Sequence, residues 1–111
     1  MSEDCLFCKI SAGTIPAKIA YQDEHCVAFH DINPQAPVHV LVIPRKHVPS
    51  VADIPDDLCA PLLSAADKVA RDLGVGESYR LVTNKGADAG QSVFHLHWHV
   101  LGGRRLGWPP G

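Results

Sequence analysis

Three histidines alternate with apolar residues near the carboxyl end of the chain, in the segment "FHLHWHVL" from 94 to 101. In a helix, His95 and His99 would lie close together while His97 pointed away, because successive residues turn by about 100°. In a β-strand all three imidazoles project from one face at a spacing of about 6.6 Å, and the apolar residues between them project from the other. The alternation therefore predicts a strand with one histidine-lined face and one core face.

Neutral imidazole can act as a nucleophile, as an acid or base near neutral pH, or as a metal ligand. A lone histidine on a half-buried strand is most simply a hydrogen-bonded structural residue, but three in register favour a functional site. Two kinds of chemistry remain open for His95, His97 and His99: covalent catalysis by an imidazole, or direct ligation of a catalytic metal ion.

The loop before the histidines, "NKGADAGQS" from 84 to 92, contains turn residues that would suit a simple hairpin connection. It also offers more than a turn requires. Gly86 and Gly90 allow backbone N–H groups to approach an anion closely, and Asn84, Gln91 and Ser92 add neutral hydrogen-bond donors. The loop is therefore a candidate phosphate-binding segment.

A second segment, "AFHDINPQAPVHVLVIPRKH" from 28 to 47, follows a strand-like run with polar and turn residues. Asp31 suits either a cap on the turn before Pro34 or a carboxylate that accepts hydrogen bonds from a ribose diol. Phe29 and Ile32 offer apolar surfaces for a nucleobase, although core packing would explain them equally well.

The pattern of the whole chain predicts an α+β domain with a mostly antiparallel sheet. Strand-like runs cover 18–22, 26–30, 39–43, 78–84 and 93–101. Apolar residues from Leu58 to Leu73 recur at helical spacing, Asp56 or Asp57 can cap the start of this helix, and Gly74 suits its end. The segment "CLFCKISAG" predicts a short N-terminal helix.

Composition narrows the classes of function. The 111 residues, 46% of them hydrophobic, fit a single domain over 1–111. A net charge of −2 gives no basic field for nucleic acid, and no apolar run reaches the roughly 20 residues of a membrane span. The start "MSEDCLFCKI" lacks the layout of a secretory signal, so we expect a cytoplasmic protein whose four cysteines are thiols or metal ligands.

The motif "HLHWHVL" resembles the His-x-His-x-His motif of the histidine-triad (HIT) hydrolases and transferases. The resemblance extends through "FHDINPQAPVHVLVIPRKH", "NKGADAGQSVFHLHWHVLGGR" and "WPPG", and is closest to the Hint branch, the histidine-triad nucleotide-binding proteins. It implies a HIT-like fold with about five strands, one long helix and a short N-terminal helix, assembled as a homodimer. It also implies a purine nucleoside phosphoramidase, or adenosine 5′-monophosphoramidase, that cleaves adenosine phosphoramidates and aminoacyl adenylates without a cofactor for the chemistry.

By position, the resemblance implies a role for each motif residue. His97 would be the nucleophile, His99 would bond the phosphate, and Ser92 would assist the leaving nitrogen. His39 would belong to the supporting hydrogen-bond network that orients His97. The implied nucleotide-contacting residues are Phe29, His30, Asp31, Ile32, Asn84, Gly90, Gln91, Ser92, His97, His99 and Trp108. The prolines after Trp108 predict an extended arm, and the resemblance implies that this arm crosses the dimer to the leaving-group side of the neighbouring pocket.

Cys5 and Cys8 form a C-x-x-C pair whose spacing suits one metal ion. The resemblance adds His47 and His95, which would complete a tetrahedral structural zinc site. The simpler interpretation is that "CLFC" only buries two small apolar residues on a short helix.

Other functions remain open beside the phosphoramidase. The chain could be a dinucleoside polyphosphate hydrolase, a metal-dependent hydrolase that uses the three histidines as ligands, or a nucleotide-binding regulatory module without significant catalysis.

Overall fold

The computed structural model describes residues 4–111. Residues 1–3, which belong to the predicted domain and to the predicted non-secretory start, lie outside the described residues. The elements in chain order are α1 (Leu6–Ser11), β1 (Ile19–Gln22), β2 (Cys26–His30), β3 (Val38–Pro44), α2 (Asp56–Asp72), β4 (Tyr79–Val82) and β5 (Trp98–Gly102). Short 3₁₀ turns cover Val51–Asp53 and Ala87–Ala89. The predicted α+β class, long helix and short N-terminal helix are confirmed.

The five strands form one sheet in the order β1-β2-β3-β5-β4, and every neighbouring pair is antiparallel. The central strands β2 and β3 are almost entirely buried because both faces of the sheet are covered. Val40 and Val42 pack under α2, whereas Leu41 and Ile43 pack on the opposite face against the segment that contains α1. This second face carries the candidate site.

Helix α2 buries one stripe of apolar residues, including Leu58, Leu62 and Val69, against the first face of the sheet. It begins one residue earlier than a cap at Asp56 would require: Pro55 is the N-cap, and Asp56 and Asp57 are the first two helical residues. The prediction that one of them caps the helix is wrong. Their carboxylates instead lie in the first turn, where their negative charge interacts favourably with the helix dipole and stabilises the helix.

The last strand is shorter than predicted. Its pairing with β3 begins at Val42 opposite Trp98, so residues 93–97 of the predicted strand lie outside the sheet. Strand β3 ends at Pro44, which has no N–H to continue the ladder. The N–H of Leu96 donates instead to the carbonyl of Val48, at 2.6 Å. Of the three histidines, only His99 is a strand residue.

No helix within residues 4–111 is both long enough and apolar enough to cross a membrane.

Candidate functional site

His97 has a defined tautomer because its Nδ1 lies 2.8 Å from the carbonyl oxygen of His95. A carbonyl oxygen only accepts hydrogen bonds, so Nδ1 carries the proton of the neutral ring and Nε2 keeps a lone pair. The ring is buried, with 6% of its surface exposed, and Phe7 meets it edge-on at a centroid distance of 5.1 Å. The imidazole of His97 is therefore fixed in position, and its Nε2 is unprotonated.

His99 and His39 form a second hydrogen-bonded chain. The backbone N–H of Gln35 donates to Nδ1 of His39 at 3.0 Å, so the proton of the neutral His39 ring lies on Nε2. That nitrogen is 2.9 Å from Nδ1 of His99 and donates to it. The proton of neutral His99 is therefore on Nε2, where it can be donated to a ligand.

Burial favours the neutral form of both imidazoles, His39 and His99. Desolvation, together with the neighbouring imidazoles of His97 and His39, lowers the pKa of His99 from its ordinary 6.5 to about 4. Desolvation also lowers the pKa of His39, although Asp31 opposes this effect with a carboxylate oxygen 3.5 Å from Nε2. The other oxygen of Asp31 accepts the N–H of Asn33 at 2.8 Å.

The side chain of His39 bonds His99, and the groups in contact with His97 include the His95 carbonyl and Phe7. His39 therefore fixes the tautomer of His99. Its expected place in the hydrogen-bond network that orients His97 stays a prediction.

A cleft of about 600 Å³ opens over the second face of the sheet, between α1 and the segment after β2. Its walls include seven of the predicted site residues: Phe29, His30, Asp31, Ile32, Ser92, His97 and His99. Ile32 is fully exposed, whereas Phe29 is buried in the floor. The two imidazoles lie in the same cleft with ring centroids 5.1 Å apart.

The glycine-rich loop adopts the backbone that its glycines permit, with φ of +91° at Gly86 and +102° at Gly90. Asn84 lies beside Gly90. The side chain of Gln91 is buried: its amide oxygen accepts the N–H of Gly86 at 2.9 Å, and its amide nitrogen donates to the carbonyls of Pro49 and Val93. The Gln91 side chain is committed to shaping the loop, and Asn84, Gly90 and Gln91 do not line the cleft itself.

Cys5, Cys8, His47 and His95 form a group that could hold a metal ion, with all four ligand atoms within 4.8 Å of one another. Nδ1 of His95 lies 3.3 Å from Sγ of Cys5 and 3.4 Å from Sγ of Cys8. Because Nε2 of His95 donates to the Pro44 carbonyl at 2.8 Å, Nδ1 has the lone pair that a metal ligand needs. Two thiols and two imidazoles are the donor set of structural zinc sites, so these residues fit that ion.

The comparisons with known proteins agree on one family. The model of the HIT domain matches residues 12–106. The chain belongs to the HIT domain family. An uncharacterized HIT-like protein of Synechocystis sp. is 56% identical over 114 aligned positions, covering all of both chains.

Two solved structures show how far the likeness extends. A HIT family hydrolase from Legionella pneumophila superposes with a TM-score of 0.93 at 49% identity, over 97% of this chain and all of that one. A histidine triad nucleotide-binding protein from Candida albicans gives a TM-score of 0.85 at 34% identity, over 96% of this chain and 83% of that one. The resemblance inferred from the motifs is thus confirmed for family and fold.

The geometry of this HIT domain contradicts the hypothesis that His95, His97 and His99 together bind one catalytic metal ion. His95 faces the cysteines, His97 is in neither of the two groups within residues 4–111 that could hold a metal, and His99 groups with Asp31 and His39. In that second group the two imidazoles are already joined by the 2.9 Å hydrogen bond.

Sequence reasoning missed the contribution of α1 to the cleft. Leu6, Phe7 and Ile10 line it, and Phe7 also touches the ring of His97. The only signal was that Phe7 stands inside the C-x-x-C pair, which places it wherever the cysteines are held.

Trp108 is 81% exposed and does not line the cleft of its own chain. Its ring centroid lies 5.9 Å from the guanidinium carbon of Arg80, whose side chain also donates to the carbonyl of Gly107 at 2.8 Å. The arm is therefore fixed near β4, at the edge of the sheet.

Proposed function

We propose that this HIT protein hydrolyses the P–N bond of adenosine phosphoramidates, and the P–O bond between the acyl group and phosphorus in related aminoacyl adenylates, through a nucleotidyl intermediate on His97. The observation that carries the proposal is the pair of tautomers: an unprotonated Nε2 on His97 and a protonated Nε2 on His99 in one cleft. The first suits attack on phosphorus, and the second suits donation to a phosphate oxygen.

In the first step, the lone pair of His97 Nε2 forms a bond to the α-phosphorus while the P–N bond of the substrate breaks. The amine leaves with a proton that the Ser92 hydroxyl relays from solvent. The positive charge on the His97 ring is stabilised because Nδ1–H still donates to the His95 carbonyl. Water then attacks the phosphorus and loses one proton to solvent through the Ser92 hydroxyl, the bond to Nε2 breaks, and AMP and the neutral imidazole are released.

The nucleoside would lie on the side of the cleft formed by the end of β2 and the segment after it. Asp31 offers a carboxylate to the ribose hydroxyls, and Phe29 and Ile32 offer apolar surface to a purine. Asn84, Gly90 and Gln91 would shape the loop that delivers Ser92 to the phosphate.

The leaving group has space on the other side of Ser92. A neighbouring cleft of about 440 Å³ shares Leu6, Ser92 and Val93 with the first and includes Phe94, which is 55% exposed. An amine held there would extend away from the nucleoside, and in-line displacement requires its nitrogen to lie opposite the attacking Nε2 of His97.

Two further features belong to the proposal. The protein acts as a homodimer that uses the edge next to β4, where one side of the strand has no partner within the described chain and the Trp108 arm begins. Zinc held by Cys5, Cys8, His47 and His95 would supply a crosslink between α1 and the sheet, with no part in bond breaking.

Mass spectrometry of enzyme quenched during turnover of an adenosine phosphoramidate tests the mechanism. We expect an adenylyl adduct on the peptide that contains His97, and its absence from the His97→Ala protein. That variant should lose several orders of magnitude in turnover yet still bind AMP, because only the covalent route is removed.

The same assay separates the rival functions. Near-normal turnover by a folded His97→Ala protein would refute the covalent mechanism. Faster adduct formation from a diadenosine polyphosphate would indicate the polyphosphate hydrolase, and tight AMP binding with negligible single-turnover cleavage would indicate a regulatory module.

A further inference from the structure

The segment that carries His97 is held by contacts outside the sheet ladder. Strand pairing starts only at Trp98, so the backbone of residues 95–97 depends on other contacts for its position. Leu96 N–H donates to Val48, and the hydroxyl of Thr83 donates to the carbonyl of His97 at 3.0 Å. The first of these contacts orients the plane that the His95 carbonyl shares with the Leu96 N–H, and the position of that peptide unit depends also on the side chain of His95.

That carbonyl belongs to His95, which is fully buried and bonded at both ring nitrogens. Nε2 donates to Pro44, while Nδ1 faces the sulfurs of Cys5 and Cys8. One residue therefore contacts the Cys/His group through its ring and the catalytic imidazole through its backbone oxygen.

Helix α1 gives a second connection between the same two places. It has six residues, too few to be stable in isolation, so it depends on what anchors it. Cys8 lies within the helix and Cys5 is its N-cap, and Phe7 between them contacts the rings of both His95 and His97. A ligand that holds the sulfurs of Cys5 and Cys8 in place would therefore also hold the Phe7 ring against His97.

We propose that His95 is a positioning residue, through which a metal ion held by Cys5, Cys8 and His47 sets the orientation and tautomer of His97. With the ion bound, the His95 ring and α1 are fixed, and the carbonyl stays in place to accept Nδ1–H. Without it, the ring keeps its bond to Pro44 but loses its anchor on the other side, and the Nδ1–H form of His97 loses its preference. The kinetic part rests on the proposed function; the structural part does not.

Nitrogen-15 NMR of the imidazoles tests the structural part directly. In zinc-loaded protein we expect His97 to show a single Nδ1–H tautomer, and in metal-depleted protein a mixture of both. Amide spectra establish that each sample is folded. Replacing zinc by the larger cadmium ion in the intact protein keeps the crosslink but moves its ligands, so the His97 nitrogen signals should shift without any loss of fold.

Kinetics then test the consequence for turnover of an adenosine phosphoramidate. Metal depletion should lower the single-turnover rate about 10-fold to 100-fold, the range for a misplaced reacting group, with the AMP dissociation constant unchanged. A merely structural ion would change the rate and AMP binding together.

His47 gives the matched variants, because it is half-buried and its contacts are with Cys8 and His95. His47→Ala should reproduce metal depletion, whereas His47→Cys restores a fourth zinc ligand and should recover both the Nδ1–H signal and the rate. Cys59→Ser is the control, since this thiol lies on α2 and contacts the Pro55 carbonyl.

Three results would overturn the proposal: a protein that takes up no zinc, His97 signals that do not differ among zinc-loaded, cadmium-loaded and metal-depleted samples, or equal single-turnover rates with and without the ion. If no sample cleaves the phosphoramidate, the proposed function fails, but a metal-dependent His97 tautomer would still support the coupling.

Discussion

At the scale of single residues, the distinction between His97 and His99 comes from what bonds each Nδ1. In His97 this nitrogen donates to a carbonyl, and in His99 it accepts from His39. The two rings therefore present opposite Nε2 states to the same cleft. Protonating His99 at Nδ1 would remove the acceptor that His39 requires.

This dependence makes a pH prediction. The pKa of folded His99 is about 4 against an ordinary 6.5, so between these values the unfolded chain binds the proton more readily. The free energy of unfolding should fall as pH drops from 6.5 towards 4, and His39, whose pKa is also lowered, adds to this fall. His99 should remain neutral over most of this interval.

The measurement is a titration of the histidine Cε1–H signals by NMR, combined with urea unfolding at several pH values. A midpoint for His99 near 6.5 would show that burial does not hold this ring neutral.

The sequence predicted which residues enter the site better than it predicted how they are bonded. The motifs predicted Asp31, Ser92, His97 and His99 as site residues, and all four line one cleft. The tautomers could not be predicted, because they depend on the His95 carbonyl and the Gln35 N–H, backbone groups that every residue type has. The Phe7 contact joins positions 90 residues apart, a separation that local patterns do not reveal.

At the scale of elements, alternation predicted the direction of side chains but overestimated the length of the strand. The period of two continues from 94 to 99, although the ladder with β3 starts at Trp98. An extended chain alternates its side chains with or without a paired neighbour, so the pattern does not report where pairing ends. Where burial alone determines the pattern, as in β2, the predicted bounds 26–30 are confirmed.

The loop between β4 and β5 depends on one side chain, and this yields a stability prediction. Gln91→Ala removes three hydrogen bonds and leaves the Gly86 N–H without its acceptor. We expect a loss of about 1–3 kcal/mol in the free energy of unfolding, the cost of leaving such groups unpaired. AMP binding should weaken as well, because Ser92 follows directly.

Urea unfolding and AMP titration measure the two effects, and Gln22→Ala is the matched control. Gln22 is exposed and its side chain accepts one hydrogen bond, from Arg45. Equal stability of the two variants would mean that the glycines alone hold the loop.

At the scale of the whole molecule, the contacts within one chain leave the side chain of Trp108 largely exposed. The indole is 81% exposed and does not line the cleft of its own chain. Arg80 nevertheless holds the arm at the β4 edge by a hydrogen bond to Gly107 and by a cation–π contact with the indole. A second copy at this edge would bring the arm towards the partner's cleft and cover the exposed ring.

Deletion of residues 107–111 tests this arrangement. If the arm lines the leaving-group side of the neighbouring cleft, the deletion should change the ratio of kcat/KM between phosphoramidates of bulky and small amines. Binding of AMP alone should change much less, because AMP has no leaving group. Light scattering on both proteins is the control, since loss of a dimer would alter the kinetics for another reason. A truncated protein that remains dimeric and treats both amines as the intact protein does would limit Trp108 to a role in docking.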